Sequence, residues 1–536
     1  MSGRIKFLIV LLSIFAILLS VRVFIIKNDE KVIKASAGRG QYKISNIGEY
    51  ASIYDCNGQR LNNLSYEYKA VIDPNSENAL KIISYIDDID TYTNGMKGNL
   101  PFLCNVSQEY IDNTIVFKNA IRTDNSQLAR HIVGYTSDNT GVCGIEYGFD
   151  SFLRENYTKN EATFSINAVG SVLDGLYSDC SFAEPLDSGV VTAIDSDIQM
   201  ICENALKYSG IDMGTVIVMD VKTGEIKACV SYPQFDPDDL EASINDERSP
   251  FINRAFSAYS VGSIFKLVTS AAALELGISP DFTYTCDGSI DVNGQIFNCH
   301  KWGGHGEINM YEAIELSCNP YFIALSEYID TDCFLDTARK FGFGEQTELC
   351  NGITSVSGYL PTTRELSVRA ELGNFSFGQG KLTATPLQIC RMTAAIANNG
   401  MYPYPKLILG IKNADGTFDK TEYPINQRVI SYLTAKKLQQ FMTDTVNADN
   451  SYSKSYIVSS AGKTSTAQTG RFNENGTEQM NCWFTGYFPT DNPQYAVTVM
   501  IENGYSGNAT AAPIYKQIAE SITIKEKTAD KQEQHN

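Results

Sequence analysis

Three groups of residues have the types and spacing to do chemistry. Ser263 and Lys266 stand in an S-x-x-K arrangement within "NRAFSAYSVGSIFKLVTSAAALELG". On a helix, positions i and i+3 share a face, so the lysine amine can reach the serine hydroxyl. At a helix N-terminus, free N–H groups and the positive dipole end favour a developing oxyanion. A serine nucleophile needs a base, and lysine serves when burial and a second cation keep it neutral. Ser317 and Asn319 form S-x-N just before the helix-breaking Pro320, where a hydroxyl and an amide can relay a proton and hold a substrate amide. Lys463, in "YIVSSAGKTSTAQTG", supplies the second cation and a partner for a substrate carboxylate.

The competing chemistries lack their residues. The histidines are His131, His300, His305 and His535, and neither G-x-S-x-G nor H-E-x-x-H occurs, which disfavours a Ser-His-Asp enzyme or a zinc protease. His305, between glycines, reads as a turn residue. S-x-N recurs at Ser76, Ser137, Ser165, Ser243 and Ser506, and S-x-x-K at Ser451 and Ser460; only the copies at 317 and 263 sit against helix signals. The tripeptide Lys222-Thr223-Gly224 separates two β-rich runs and reads as a hairpin turn, with Gly224 supplying a positive φ. The 13 cysteines include no CxxC pair and no Cys/His metal spacing, so neither a metal nor a cofactor is expected. Cys286 and Cys299 flank a hairpin-like stretch and are expected to form a disulfide if the compartment is oxidising.

These residues need a scaffold, and 536 residues with 43% hydrophobic content allow two or three packed domains. A net charge of −19 argues against nucleic acid as the main partner. Residues 7–26 are almost uninterruptedly apolar, enough as a helix to span about 30 Å of hydrocarbon. The charged "KNDEKVIK" separates this run from "ASA" at 35–37 by more than signal cleavage tolerates, so an uncleaved anchor is expected. Basic residues on both sides leave the positive-inside count not favouring a cytoplasmic N-terminus. The expected order is a short cytoplasmic tail (1–6), the anchor (7–26), a β-prone N-terminal module (28–185), a catalytic domain (186–522) and a disordered tail (523–536).

With the strings "TGEIKACVSYPQFDP", "GHGEINMYEAIELSCNPYF", "FGQGKLTATPLQICRMTAAIANNG" and "CWFTGYFP", the three motifs in this order resemble the class B penicillin-binding proteins, monofunctional peptidoglycan D,D-transpeptidases. The upstream "HIVGYTSDNTGVCGIEYGFDSFL" resembles that family's non-catalytic module. The resemblance implies an α+β fold: a five-stranded antiparallel sheet between helices, a β-rich pedestal of dimerisation type and a single transmembrane helix. It implies Ser263 as nucleophile toward stem peptides ending in D-Ala-D-Ala, and toward β-lactams as covalent inhibitors. Lys266 would be base, Ser317 and Asn319 assistants, and Lys463, Thr464, Ser465 and Thr466 the substrate-binding strand, with backbone N–H groups of Ser263 and Thr466 as oxyanion hole. A catalytic domain on the extracytoplasmic side of the cell membrane follows, with glycan polymerisation left to a multi-pass membrane polymerase. The alternatives are a D,D-carboxypeptidase or β-lactamase-type hydrolase, or a catalytically weakened scaffold. The family usually has glycine where Ser465 stands, and that serine is expected to narrow the cleft.

Overall fold

The computed structural model describes residues 3–28, 40–167 and 171–533. Helix α1 (Gly3–Asn28) is apolar around its middle, with a mean hydropathy of 2.8 in its most apolar 18-residue window, and is long enough to cross a membrane. Its two serines donate their hydroxyls to carbonyls four residues back, at Ile9 and Ala16, so neither leaves a polar group unsatisfied.

The chain forms two compact units. The first comprises 1–50, 65–121 and 157–186. Its strands are β1 (Gln41–Tyr50), β2 (Ser65–Ile72), β3 (Phe102–Val106), β4 (Ile115–Ile121), β5 (Tyr157–Ile166) and β6 (Val172–Ser181). They make two antiparallel three-stranded sheets, β1-β5-β6 and β3-β2-β4. Ile44, Val71, Phe117, Ala162 and Phe164 pack the two sheets against each other.

The second unit comprises 51–64, 122–156 and 187–536. Segments 51–64 and 122–156, expected in the N-terminal module, cluster here because their partners are here. Ser52–Tyr54 pairs in parallel with Gly189–Thr192, and the fully buried Glu146 accepts hydrogen bonds from Arg122 and Asn62. The helices that matter to the site are α2 (Ser196–Lys207), α3 (Lys266–Glu275), α4 (Met310–Glu315), α5 (Asn319–Ser326), α6 (Pro386–Ala397) and α7 (Ala512–Glu533). Asp195 caps α2 by accepting from the N–H groups of Asp197 and Ile198.

Strands β7 (Gly214–Asp220), β8 (Ile226–Tyr232), β9 (Ala461–Phe472), β10 (Glu478–Phe488) and β11 (Tyr495–Glu502) form one antiparallel sheet in the order β8-β7-β11-β10-β9. The triplet at 222–224 is the β7–β8 turn, with Gly224 at φ +79°. Ile198, Cys202 and Leu206 of α2 and Tyr515 and Ile518 of α7 cover one sheet face. Helix α6, buried along its whole length, packs on β7, β10 and β11 from the other side. The chain from 523 does not form the expected tail. It continues α7, because Lys and Glu are good helix formers and Lys525 pairs with Asp195 and Asp197 at 3.0 Å each.

One polar tie fixes the segment leading to Ser263. Arg254, 2% exposed, donates from Nε to Glu502 Oε1 at 2.7 Å, and Tyr259 donates its hydroxyl to the same oxygen at 3.2 Å. Glu502→Ala leaves that guanidinium without its carboxylate; a stability loss of about 2 kcal/mol is expected in denaturant unfolding, with a smaller loss for Glu502→Gln.

Candidate functional site

The nucleophile candidate lies on a short 3-10 turn, Gly262–Phe265, that runs straight into α3. Helical side chains lean toward the N-terminus, so Lys266 reaches back one turn and its Nζ lies 3.0 Å from Ser263 Oγ. Ser263 is half-buried, while Lys266 is fully buried. Helices α4 and α5 are separate because Ser317 between them adopts φ +52° and Pro320 opens the second. That break turns the Ser317 carbonyl, its hydroxyl and the Asn319 amide toward the amine, at 2.7, 3.1 and 2.7 Å.

The bonding pattern favours a neutral amine. All four contacts of Lys266 are uncharged oxygens. A neutral amine has two N–H donors, and the two 2.7 Å acceptors, Ser317 O and Asn319 Oδ1, use both. With those two acceptors satisfied, a neutral amine would present its lone pair to the two hydroxyls. Burial, and then the nearby Lys463 cation, hold the Lys266 pKa well below the ordinary lysine value. Lys463 donates to Ser317 Oγ at 3.2 Å, and burial lowers its own pKa to about 8. Ser317 is thus shared by both lysines.

Strand β9 alternates as a pleated strand must. Lys463, Ser465 and Ala467 are buried, whereas Thr464 is half-buried and Thr466 exposed. The Thr466 hydroxyl accepts from the Gly507 N–H at 3.0 Å. The structure therefore brings Ser263, Lys266, Ser317, Asn319 and Lys463 into one hydrogen-bonded group, with Thr464–Thr466 on the adjoining strand.

Ser465 does not narrow the cleft. It is 2% exposed and donates its hydroxyl to the Val261 carbonyl at 2.8 Å, behind the nucleophile turn. Three consecutive residues before Ser263 are pinned in this way. Trp483 Nε1 donates to Ser260 O at 3.0 Å, Ser465 to Val261 O, and Gly262 N to Gly378 O at 2.7 Å. Gly262 is obligatory: it sits at φ +63°, and a Cβ there would collide with Ser465 Oγ. Sequence reasoning missed these tethers, since nothing in a strand's alternation says which neighbour lies across from it.

The expected Cys286–Cys299 disulfide is not formed; both are free thiols. Their sulfurs converge with two further residues, Cys318 and His305, instead of pairing with each other alone.

The family profile described as the penicillin binding protein transpeptidase domain matches residues 214–520. The chain is 30% identical over 413 residues to stage V sporulation protein D of Bacillus subtilis, covering 72% of this chain and 61% of that protein. It is 30% identical over 362 residues to peptidoglycan D,D-transpeptidase PbpA of Mycolicibacterium smegmatis, covering 62% of this chain and 72% of that one. Penicillin-binding protein 3 of Mycobacterium tuberculosis, solved with ampicillin, superposes with a TM-score of 0.65 at 24% identity, over 90% of this chain and 96% of that one; the likeness shows the fold.

Replacing Ser465 by glycine removes the hydroxyl that holds Val261. A stability loss of about 1 kcal/mol is expected in denaturant unfolding, with Ser465→Ala losing a similar amount because the hydroxyl, not the Cβ, makes the tie.

Proposed function

The chain belongs to the penicillin-binding protein transpeptidase family, in its class B branch, and from that premise we propose that it is a membrane-anchored peptidoglycan D,D-transpeptidase working through a Ser263 acyl-enzyme. The observation that carries this reading is the buried Lys266 amine, 3.0 Å from Ser263 Oγ and 2.7 Å from both Ser317 O and Asn319 Oδ1. Its lone pair takes the serine proton as Oγ attacks the carbonyl of the penultimate D-Ala of a stem peptide. Backbone N–H groups of Ser263 and Thr466 receive the oxyanion. The proton passes through Ser317 to the departing nitrogen, and the terminal D-Ala leaves. An amine from a neighbouring stem peptide then attacks the ester, regenerates Ser263 and completes the crosslink.

Lys463 binds the donor's terminal carboxylate with the Thr464 and Thr466 hydroxyls, while Asn319 holds the substrate amide. β-Lactams, which carry a carboxylate beside a strained amide, acylate the same serine. Helix α1 anchors the chain in the cell membrane with the catalytic unit on the extracytoplasmic side, where stem peptides are, and a multi-pass membrane polymerase supplies the glycan strands.

Intact-mass measurement of the purified full-length chain with a fluorescent penicillin should give one slowly released adduct, absent in Ser263→Ala. Rapid release would indicate a hydrolase, and no adduct would remove the acyl-enzyme reading. Lys266→Ala should slow acylation by about 10²- to 10⁴-fold, the ordinary contribution of a positioned base.

The pH dependence has a definite sign. Lys266 acts as the free amine, and its depressed pKa keeps it so at neutral pH; acylation is lost only as acid protonates it. Lys463 acts as the cation, so the acylation rate should fall as pH rises through about 8. An alkaline limb that stays flat to pH about 10, the range of an unperturbed lysine, would refute the role given to Lys463.

A further inference from the structure

Cys286, Cys299, His305 and Cys318 each offer one donor atom, and all four donors lie within 4.8 Å of one another. Cys299 Sγ is 3.4 Å from His305 Nδ1. Zinc–sulfur bonds of about 2.3 Å and zinc–nitrogen bonds of about 2.0 Å put a tetrahedral S···N edge at about 3.5 Å and an S···S edge at about 3.8 Å, so the Cys299–His305 edge already fits and the widest edges close by about 1 Å at most. Three soft sulfurs and an imidazole, with no carboxylate, select zinc over magnesium, calcium or manganese. Cys286 and Cys318 are fully buried, Cys299 is 9% exposed and His305 is half-buried.

We propose that these four residues form a tetrahedral Cys3His site for a zinc-type divalent cation, and that the ion clamps the Ser317–Asn319 segment beside Lys266. Three of the ligands are held by backbone pairing, not by their sulfurs or ring. Strand Tyr284–Cys286 pairs with Gly306–Ile308 in a register that sets Cys286 opposite Gly306, next to His305. The turn before His305 passes so close that a Cβ at Gly304, which sits at φ +76°, would collide with Cys286 O. Cys299 N donates to Gly288 O at 2.8 Å, closing the intervening hairpin.

Cys318 arrives from elsewhere, as the residue preceding α5. Its neighbours in the chain are the half-buried Ser317 and Asn319, both bonded to Lys266. A metal–sulfur bond at Cys318 therefore ties the hairpin to the segment whose Ser317 holds a positive φ. The site itself stands on the four donors; the clamp rests on the acyl-transfer reading above.

The test uses the full-length chain, purified in detergent under reducing conditions without chelator. Elemental analysis should find about one zinc per chain, and cobalt exchange should give the near-ultraviolet absorption of thiolate bonded to tetrahedral cobalt. Both should be lost in Cys299→Ser and in His305→Ala, each checked for a single cooperative melting transition as evidence of folding, and both should be unchanged in Ser263→Ala. Stripping the metal should slow penicillin acylation by about 10-fold or more.

A folded protein without zinc and without cobalt–thiolate absorption would overturn the site. So would an intact mass lighter by two hydrogens with Cys286 linked to Cys299. Stoichiometric zinc whose removal leaves acylation unchanged would overturn the clamp and keep the site. Stoichiometric zinc with no acylation, loaded or stripped, would overturn the acyl-transfer reading and keep the site.

Discussion

A lysine amine buried without a counter-charge is stable only if it is neutral, and the residues around Lys266 are arranged to make it so. Every hydrogen bond it makes among the described residues goes to an uncharged oxygen, and a second lysine, Lys463, adds its charge nearby. Two ammonium groups sharing one serine hydroxyl in a desolvated space repel too strongly for both to remain charged. Lys266, whose pKa is lowered both by burial and by the neighbouring cation, is the one that gives up its proton. Lys463, depressed only to about 8, keeps its charge at neutral pH. In the proposed mechanism this asymmetry divides the roles: one lysine serves as base and the other as anion receptor, though the two side chains are chemically identical.

The surrounding fold exists to keep that arrangement from relaxing. An amine can stay within 3.0 Å of a serine only if the serine's backbone cannot drift. Trp483 and Ser465, on the two paired strands β10 and β9, grip consecutive carbonyls just before the nucleophile, and Gly262 permits an approach that any other residue would block. The sheet is thus directly coupled to the turn that carries Ser263. Packing against α2, α6 and α7 makes the sheet itself rigid, so the nucleophile inherits its position from the core of the unit.

Much of the site was legible because helical spacing is short-range. Ser263 and Lys266 are three residues apart, and Pro320 marks where a helix must restart, so their relations could be read without knowing what lies across from them. The hairpin at 222–224 was legible for the same reason, through turn chemistry, whereas the five-stranded sheet was legible only through the family resemblance. What depended on partners distant in the chain was not. The side on which Ser465 would point, the clustering of 51–64 and 122–156 with the catalytic unit, and the helix past residue 523 are all decided by contacts across the fold. The thiol cluster is the extreme case: Cys286, Cys299, His305 and Cys318 match no metal spacing, and only antiparallel pairing brings them together.

The Ser317–Asn319 tripeptide shows how two such demands can be met without conflict. Ser317 and Asn319 turn toward the amine, and the residue between them is fully buried on the other side, among the thiols. The bonds to Lys266 thus constrain the first and third positions and leave the middle one free. A cysteine in that position adds a contact to the hairpin without altering any group that faces Lys266. Because Ser317 adopts a left-handed backbone conformation unfavourable to serine, the segment gains from any partner that fixes its neighbour. The strain that aims the Ser317 carbonyl at Lys266 and the buried sulfur one residue later are therefore parts of a single device, in which the side of the segment away from the substrate determines how firmly the facing side is held.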